Sequence, residues 1–447
     1  MNFLKSWFTS LQSGRRSLIL VLLIGVIPLQ AEEWTLERAI DSIRRDSPDA
    51  EILRSRVEAA HALADQSRAA WYPHLQVEAG YHQTNQPMMG FGSILNTGTF
   101  DQTIDFNRPG QLDHFNATAT VGYNLYAGGS PTAQRAAANA NQRAVELDQE
   151  AAFEALSLAV VRAYYQVLQA REYLRAIESA QIAVKGSLRS AQARYERGDL
   201  LKHTVLDLEL RVAEIENQLL SAEHQLKLAE RMLRVTLGFS PNHALTVTRN
   251  PQPLPPPDDA QRLRAEQLAM AERVAAADAA VDGQRGQRRP RLDAFASYQY
   301  DRGWRRSGDG DSWMAGLRMQ WDLFDGHLSA NRVRQSLAER SEARAQERKL
   351  ELQLELQLEE ARLNHELARK QLATTERMLA QAEESASISR ARFEAGDLLV
   401  TELLTAESRL TEARVRQSVA RFSEQMAVAQ WYRASGIPLT SSTFASH

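Results

Sequence analysis

The residues able to do chemistry in this 447-residue chain are few and scattered. Its ten histidines fall in no His-Glu-x-x-His pair suited to a zinc ion, and the sequence has neither a phosphate-cradling Gly-x-x-x-x-Gly-Lys nor a Gly-x-Ser-x-Gly nucleophile elbow. Cysteine is absent, which removes disulfides, thiolate metal sites and a lipid-bearing cysteine. His82 and His114 flank a loop and could share a metal, but two histidines at strand ends ordinarily read as polar surface. The expectation is a protein that is not an enzyme, with no cofactor and no resident metal.

Chemistry of another kind is concentrated in a repeat. Ala193-Arg194-Tyr195-Glu196-Arg197-Gly198-Asp199-Leu200-Leu201 recurs as Ala391-Arg392-Phe393-Glu394-Ala395-Gly396-Asp397-Leu398-Leu399, with seven identities in nine positions. Asn124-Leu125-Tyr126-Ala127-Gly128 and Asp322-Leu323-Phe324-Asp325-Gly326 are related by the same offset of 198 positions. The two halves are therefore built to one span. Each repeat places a glycine where a helix must reverse, a step that commonly needs positive φ.

The elements that hold these turns are long. Gly128 to Gly198 and Gly326 to Gly396 are rich in Ala, Leu, Gln, Glu and Arg, with no proline after Pro131. At ~1.5 Å per residue, a helix of about 65 residues reaches roughly 100 Å. Phe153, Leu156, Val160, Ala163, Val167, Ala170, Leu174 and Ile177 step by three and four, and so do Leu208, Val212, Ile215, Leu219, Ala222, Leu226, Ala229 and Leu233. This is a coiled-coil seam with small residues for close approach.

Period-two stretches alternate with the helices. Phe115, Ala117, Ala119, Val121, Tyr123 and Leu125 form one apolar face, and Trp313, Ala315, Leu317, Met319, Trp321 and Leu323 form another. Leu75, Val77, Ala79 and Tyr81 supply a third set, and Leu292, Ala294, Ala296, Tyr298 and Tyr300 a fourth. Pro73 and Pro290 stand at the helix-to-strand transitions, where proline ends a helix and extends its predecessor. The connections Asn85 to Asp113 and Asp301 to Asp311, rich in glycine, read as surface loops. Such strands fit either a sandwich core or a membrane barrel. Four strands fall short of the ~8 that close a small barrel, so the membrane reading requires several copies, and three would supply twelve strands.

Met1 to Ala31 carries Lys5, Arg15 and Arg16, then the apolar run Leu18 to Ile27 and a small-residue end at Ala31, the pattern of a secretory signal. That run is shorter than the ~20 residues of a membrane-spanning helix. Removing its three basic residues takes the formal charge from -3 to -6, spread without a basic stripe, so no nucleic acid partner is expected. The organisation is then a signal, 1–31; a first repeat, 32–235, with its hairpin at 74–126; a proline-rich linker, 236–259; a second repeat, 260–436, with its hairpin at 291–324; and a tail, 437–447.

Signal, paired helix–hairpin–helix halves, prolines before the hairpins, the Leu-Tyr-Ala-Gly-Gly and Leu-Phe-Asp-Gly strand exits and the repeated Arg-aromatic-Glu-x-Gly turn together resemble the TolC-type outer-membrane efflux protein family, over essentially all of Glu32 to Pro438. The resemblance implies a mainly α fold with a β-barrel contribution: a homotrimer whose twelve-stranded barrel sits in outer-membrane lipid and continues as a coiled-coil helical tunnel through the periplasm. It implies a periplasmic adaptor (membrane fusion) protein and an inner-membrane transporter as partners. Gly198 and Gly396 would mark the periplasmic tip turns, and Arg194, Tyr195, Arg392, Phe393, Leu200 and Leu398 would brace the closed tip or meet the adaptor. Where family members often carry aspartate six residues beyond the glycine, this chain has Thr204 and Glu402, the candidates for the pore constriction; Glu402 would form an acidic ring favouring cations, or remain a solvated carboxylate. The cargo expected is small molecules such as drugs or metal ions, with a type I protein secretion conduit or a non-pore periplasmic coiled-coil scaffold as alternatives.

Overall fold

A computed structural model describes residues 32–248, 252–257 and 261–439. The expected signal, Pro251, Asp258, Asp259 and most of the expected tail lie outside the described residues.

The chain opens with a short strand β1 (Glu32–Trp34), then α1 (Leu36–Asp46) and α2 (Pro48–Gln66). Thr35 accepts a hydrogen bond from the Arg38 amide at 3.3 Å, and Ser47 one from Ala50 at 3.0 Å, so each helix starts on a side-chain cap. Pro48 occupies the first turn of α2, where its missing N–H costs nothing. After a 3-10 turn and Pro73 come β2 (His74–Thr84), α3 (Pro87–Asn96) and β3 (Leu112–Ala127). The 67-residue α4 (Ser130–Glu196) and the 35-residue α5 (Lys202–Thr236) follow, then β4 (Leu245–Val247) and α6 (Ala265–Gly286). The second half ends with β5 (Arg291–Gly303), β6 (Gly308–Gln320), the 68-residue α7 (Leu328–Ala395) and the 35-residue α8 (Val400–Ala434). Lengths matched to within one residue between the halves are what the sequence offset required.

The long helices are zipped by the expected seam. Val160, Ala163, Val167 and Ile177 of α4, and Leu208, Ile215, Ala222, Ala229 and Leu233 of α5, are buried. α4 packs on α5, α6 and α8, and α7 packs on α6 and α8, so the two repeats are joined along α4. Midway along α4, the adjacent Tyr164 and Tyr165 anchor a core with Trp34, Ile40, Leu245, Val247, Leu254, Val428 and Leu439. The Tyr165 hydroxyl lies 3.2 Å from Gln425 Oε1, which also accepts the Leu254 amide at 2.6 Å. This ties the inter-repeat linker to α8. The described part of the linker holds a strand, β4, which runs parallel to β1, Leu245 opposite Glu32 and Val247 opposite Trp34.

The four longer strands form a single antiparallel sheet in the order β2-β3-β5-β6, with β2 and β6 at its edges. Register places Leu75, Val77, Ala79 and Tyr81 beside Val121, Ala119, Ala117 and Phe115, and these beside Ala296, Tyr298, Tyr300 and Arg302. Leu292, Ala294, Ala296 and Tyr298 then face Met319, Leu317, Ala315 and Trp313. One face is thus apolar except at the hairpin end of β5 and β6, where Arg302, Asp309 and Asp311 lie on it. The other carries Gln76, Glu78, His82, His114, Asn116, Thr118, Thr120, Gln299, Asp301 and Arg318. A register shift between Asn124 and Tyr126 takes Leu125 out of the alternation.

Both expected hairpin connections require correction. The first contains the helix α3, opened by Pro87 in its first turn. Its Gly90 acts as a packing residue there: a Cβ would lie 3.0 Å from the Leu112 side chain and 3.2 Å from Pro109, so glycine lets the helix settle on the strand. The second connection contracts to Trp304–Ser307, as β5 and β6 extend through Gly303 and Gly308, held by Asp113, which accepts the Trp304 and Arg305 amides at 3.0 and 2.7 Å. At the other end, β6 stops at Gln320, short of the expected 324, and the Trp321 indole donates to Arg288 O at 3.2 Å.

Candidate functional site

The repeated turns lie where α4 passes to α5 and α7 to α8. In the first, Gly198 takes φ 84° and its amide donates to Tyr195 O at 2.9 Å, while the Asp199 amide donates to Arg194 O at 2.9 Å. In the second, Gly396 takes φ 91°, its amide donates to Phe393 O at 3.1 Å, and the Asp397 amide donates to Arg392 O at 2.8 Å. Both are left-handed helix stops that satisfy the last carbonyls, and a Cβ at either glycine would be strained. Leu201 and Leu399 then start the return helices without a side-chain cap.

Around this shared backbone the side chains diverge. Phe393 is 2% exposed, in a core with Ile177, Val184, Val205, Leu208, Val400 and Leu403, and Leu200 and Leu398 pack half-buried against that core. Tyr195, its counterpart in the first repeat, is 43% exposed. Arg194 reaches across to the second repeat: Nη1 donates to Phe393 O at 2.9 Å, and the guanidinium lies 5.8 Å from the Phe393 ring centroid. Arg392 instead closes its own turn through Asp397 O at 3.2 Å and is exposed. The structure therefore brings Arg194, Phe393, Gly396, Leu200 and Leu398 together, and leaves Tyr195 and Arg392 on the surface.

Thr204 is half-buried and Glu402 exposed, each in the first turn of its return helix, where their amides donate to Leu201 O at 3.1 Å and Leu399 O at 3.2 Å. A carboxylate at that position is favoured by the positive end of α8. Sequence reading passed over a deeper acid, Glu407, which is 4% exposed and paired with Arg390, whose Nη2 lies 3.2 Å from Oε2. Donating to the Glu407 carboxylate raises the Arg390 pKa. The signal was present: Val400, Leu403, Glu407 and Leu410 step by three and four, so a carboxylate occupies the seam. Arg211 links the two return helices, donating to Ser408 Oγ at 2.8 Å.

Pro73 and Pro290 each immediately precede a strand, as expected. His82 and His114 are cross-strand neighbours with ring centroids 5.2 Å apart. His114 Nε2 lies 2.8 Å from Asp301 Oδ1, which also accepts from the Asn116 side-chain Nδ2 at 3.0 Å, so the second histidine belongs to a buried polar network. Among the described residues no group of three or more metal-ligating side chains is arranged around a cation. No described helix is long and apolar enough to cross a membrane. The large exposed apolar surface is instead on the sheet, where Leu75, Val77, Tyr81, Tyr298, Trp313, Leu317 and Met319 point outward. Patches of that extent mark contact with lipid or with another chain.

Comparisons with known proteins agree with this fold. The family model for the outer membrane efflux protein matches residues 39–239 and 257–437. Among solved structures, the chain is similar to the outer-membrane channel OprN, with a TM-score of 0.76 at 20% identity over 90% of this chain and 89% of that one. It is similar to VceC from Vibrio cholerae, with a TM-score of 0.75 at 19% identity over 90% and 96% of the two chains. CmeC from Campylobacter jejuni gives a TM-score of 0.77 at 15% identity over 91% and 86%. A search of curated protein sequences finds no match.

Proposed function

The chain belongs to the outer membrane efflux protein family, a family of outer-membrane channels, and from that premise we propose that it is the exit duct of a tripartite export assembly. Three copies associate, their sheets closing into a twelve-stranded barrel in the outer membrane, with the long helices forming the periplasmic tunnel. A periplasmic adaptor docks on the helices, an inner-membrane transporter supplies the energy, and small molecules such as drugs or metal ions pass outward.

The observation that carries this reading is the sheet: apolar on one face, polar on the other, with β2 and β6 both left as edges. Open edges with a long apolar face are untenable in water and in lipid alike unless paired, and pairing β6 of one copy with β2 of the next removes every edge. The helices make the same demand. Leu352, Leu356, Leu363 and Leu367 of α7 are exposed at heptad spacing, a stripe that neighbouring copies would cover. A protein-secretion conduit uses the same architecture and differs in cargo and partner.

Two measurements test the proposal. Detergent-extracted protein should sediment as a trimer and conduct ions in planar bilayers, and a monomer recovered without detergent overturns the channel reading. Growth of a deletion strain with and without a plasmid copy, across antibiotics, detergents and metal salts, names the cargo: complemented hypersensitivity identifies small-molecule efflux, and unchanged sensitivity with intact trimers points to the secretion conduit.

A further inference from the structure

The helix α3 rises from the sheet edge strand β2 and returns into β3, yet it packs on β3, β5 and β6. It therefore crosses the sheet, and its side of the sheet can be read from the glycines beneath it. A Cβ on Gly310 would lie 2.2 Å from Asn96 O, and one on Gly308 2.4 Å from Thr97 O. Gly310 pairs with Asp301 and Gly308 with Gly303, so the end of α3 lies on the face that bears Asp301, Asn116 and His114. This is the polar face, opposite the apolar surface of Leu75, Val77, Trp313 and Leu317. Ile94, Ser93 and Gly90 of α3 are buried against this support. The helix has no charged residue, and Met88, Met89, Phe91 and Leu95 remain exposed, Met88 at 79%. Phe91 is braced by Phe106, 4.9 Å away, which in turn stacks on Phe100.

An apolar helix face left bare on the polar side of a sheet needs an occupant. If the apolar face of the sheet meets lipid, as in the trimeric channel proposed above on which this step rests, α3 lies inside the barrel at the end away from the long helices. With strands ~4.8 Å apart and tilted ~40°, a twelve-stranded wall has a radius of roughly 12 Å. A helix with its side chains takes up ~10 Å of that radius from the wall inward. Three copies then meet near the axis. We infer that the α3 helices of three copies pack against one another through Met88, Met89, Phe91 and Leu95 and close the outer end of the duct with an apolar constriction. Such a constriction slows hydrated ions without stopping them and yields to apolar or bulky cargo. The duct then has two closures of opposite chemistry, hydrogen-bonded at the helix turns and apolar at the outer mouth.

The absence of native cysteine makes the test clean. Met88→Cys and Leu95→Cys, each alone in purified trimers, are treated with a short bismaleimide and run on denaturing gels, with Ala296→Cys, on the lipid-side face of a central strand, as control. The expected result is covalent dimers from Met88→Cys and Leu95→Cys and none from Ala296→Cys. Trimers by sedimentation that give no covalent dimer at either α3 position overturn the constriction while leaving the channel intact. Monomers by sedimentation overturn the channel reading and the constriction with it.

Discussion

The two helix turns have nearly the same sequence and the same backbone, and they do different things. Both stop a long helix on a left-handed glycine with the same pair of amide bonds. Yet the aromatic of the second turn, Phe393, fills a core, while Tyr195 of the first lies on the surface. The arginine of the first turn, Arg194, crosses to the other repeat, while Arg392 folds back on its own. Seventeen residues after Arg390 in the second repeat, Glu407 is a buried partner to it; the matching positions of the first repeat are Gln192 and the exposed Glu209, which cannot form that pair. The lesson is that a repeat conserves backbone geometry, and the neighbours decide which side chain acts as clasp, core or surface. The second repeat holds the anchor and the first supplies the clasp.

That asymmetry can be broken in order of expected effect. Phe393→Ala removes a fully buried aromatic and should cost about 3–5 kcal/mol of stability, whereas Tyr195→Ala should cost less than ~0.5 kcal/mol. Thermal melts of the two variants in detergent compare them directly, and equal shifts would dissolve the distinction between core and surface. Glu407→Ala should come next, at about 2 kcal/mol, below the full cost of a broken buried pair because Arg390 can turn to water, and Glu209→Ala should be near neutral by the same melt.

Arg194→Ala loses a charge-assisted hydrogen bond worth roughly 1.5–3 kcal/mol, and with it the clasp between repeats. Its signature should be a larger or longer-lived open state in planar bilayers, with Arg392→Ala close to wild type; matched conductance in the two variants would mean the crossing bond does not hold the turns together. The smallest effect is expected at Glu402. Glu402→Gln should leave stability within ~0.5 kcal/mol while lowering cation selectivity, measured as a shift in reversal potential across a salt gradient, and Thr204→Asp should raise it. An unchanged reversal potential in both variants would make Glu402 a solvated carboxylate.

Several features of the fold were legible because they are local. The 198-position offset, the three-four seams and the period-two strands are properties of near neighbours along the chain, and the helices, turns and four strands stand where those patterns put them, except that Trp321 and Leu323 fall beyond the end of β6. Features that failed to show depend on distant partners. α3 was hidden because Gly90 and Gly92 read as loop residues, when Gly90 instead gives a helix room to touch Pro109 and Leu112. β4 was hidden because three residues, Leu245–Val247, have no period of their own and form a strand only beside β1. Glu407 was visible as a charge in a seam, but nothing near it in sequence named Arg390 as its partner.

The sequence by itself determined the element lengths, the glycine-stopped turns and which face of each strand is apolar, since helix propensity, left-handed φ and side-chain alternation act over a few residues. Tertiary structure alone decided that Arg194 clasps Phe393, that Tyr195 stays outside, and that α3 lies across the polar face of the sheet. Those outcomes turn on which surfaces meet across hundreds of residues, and burial and hydrogen bonding are settled only when they do.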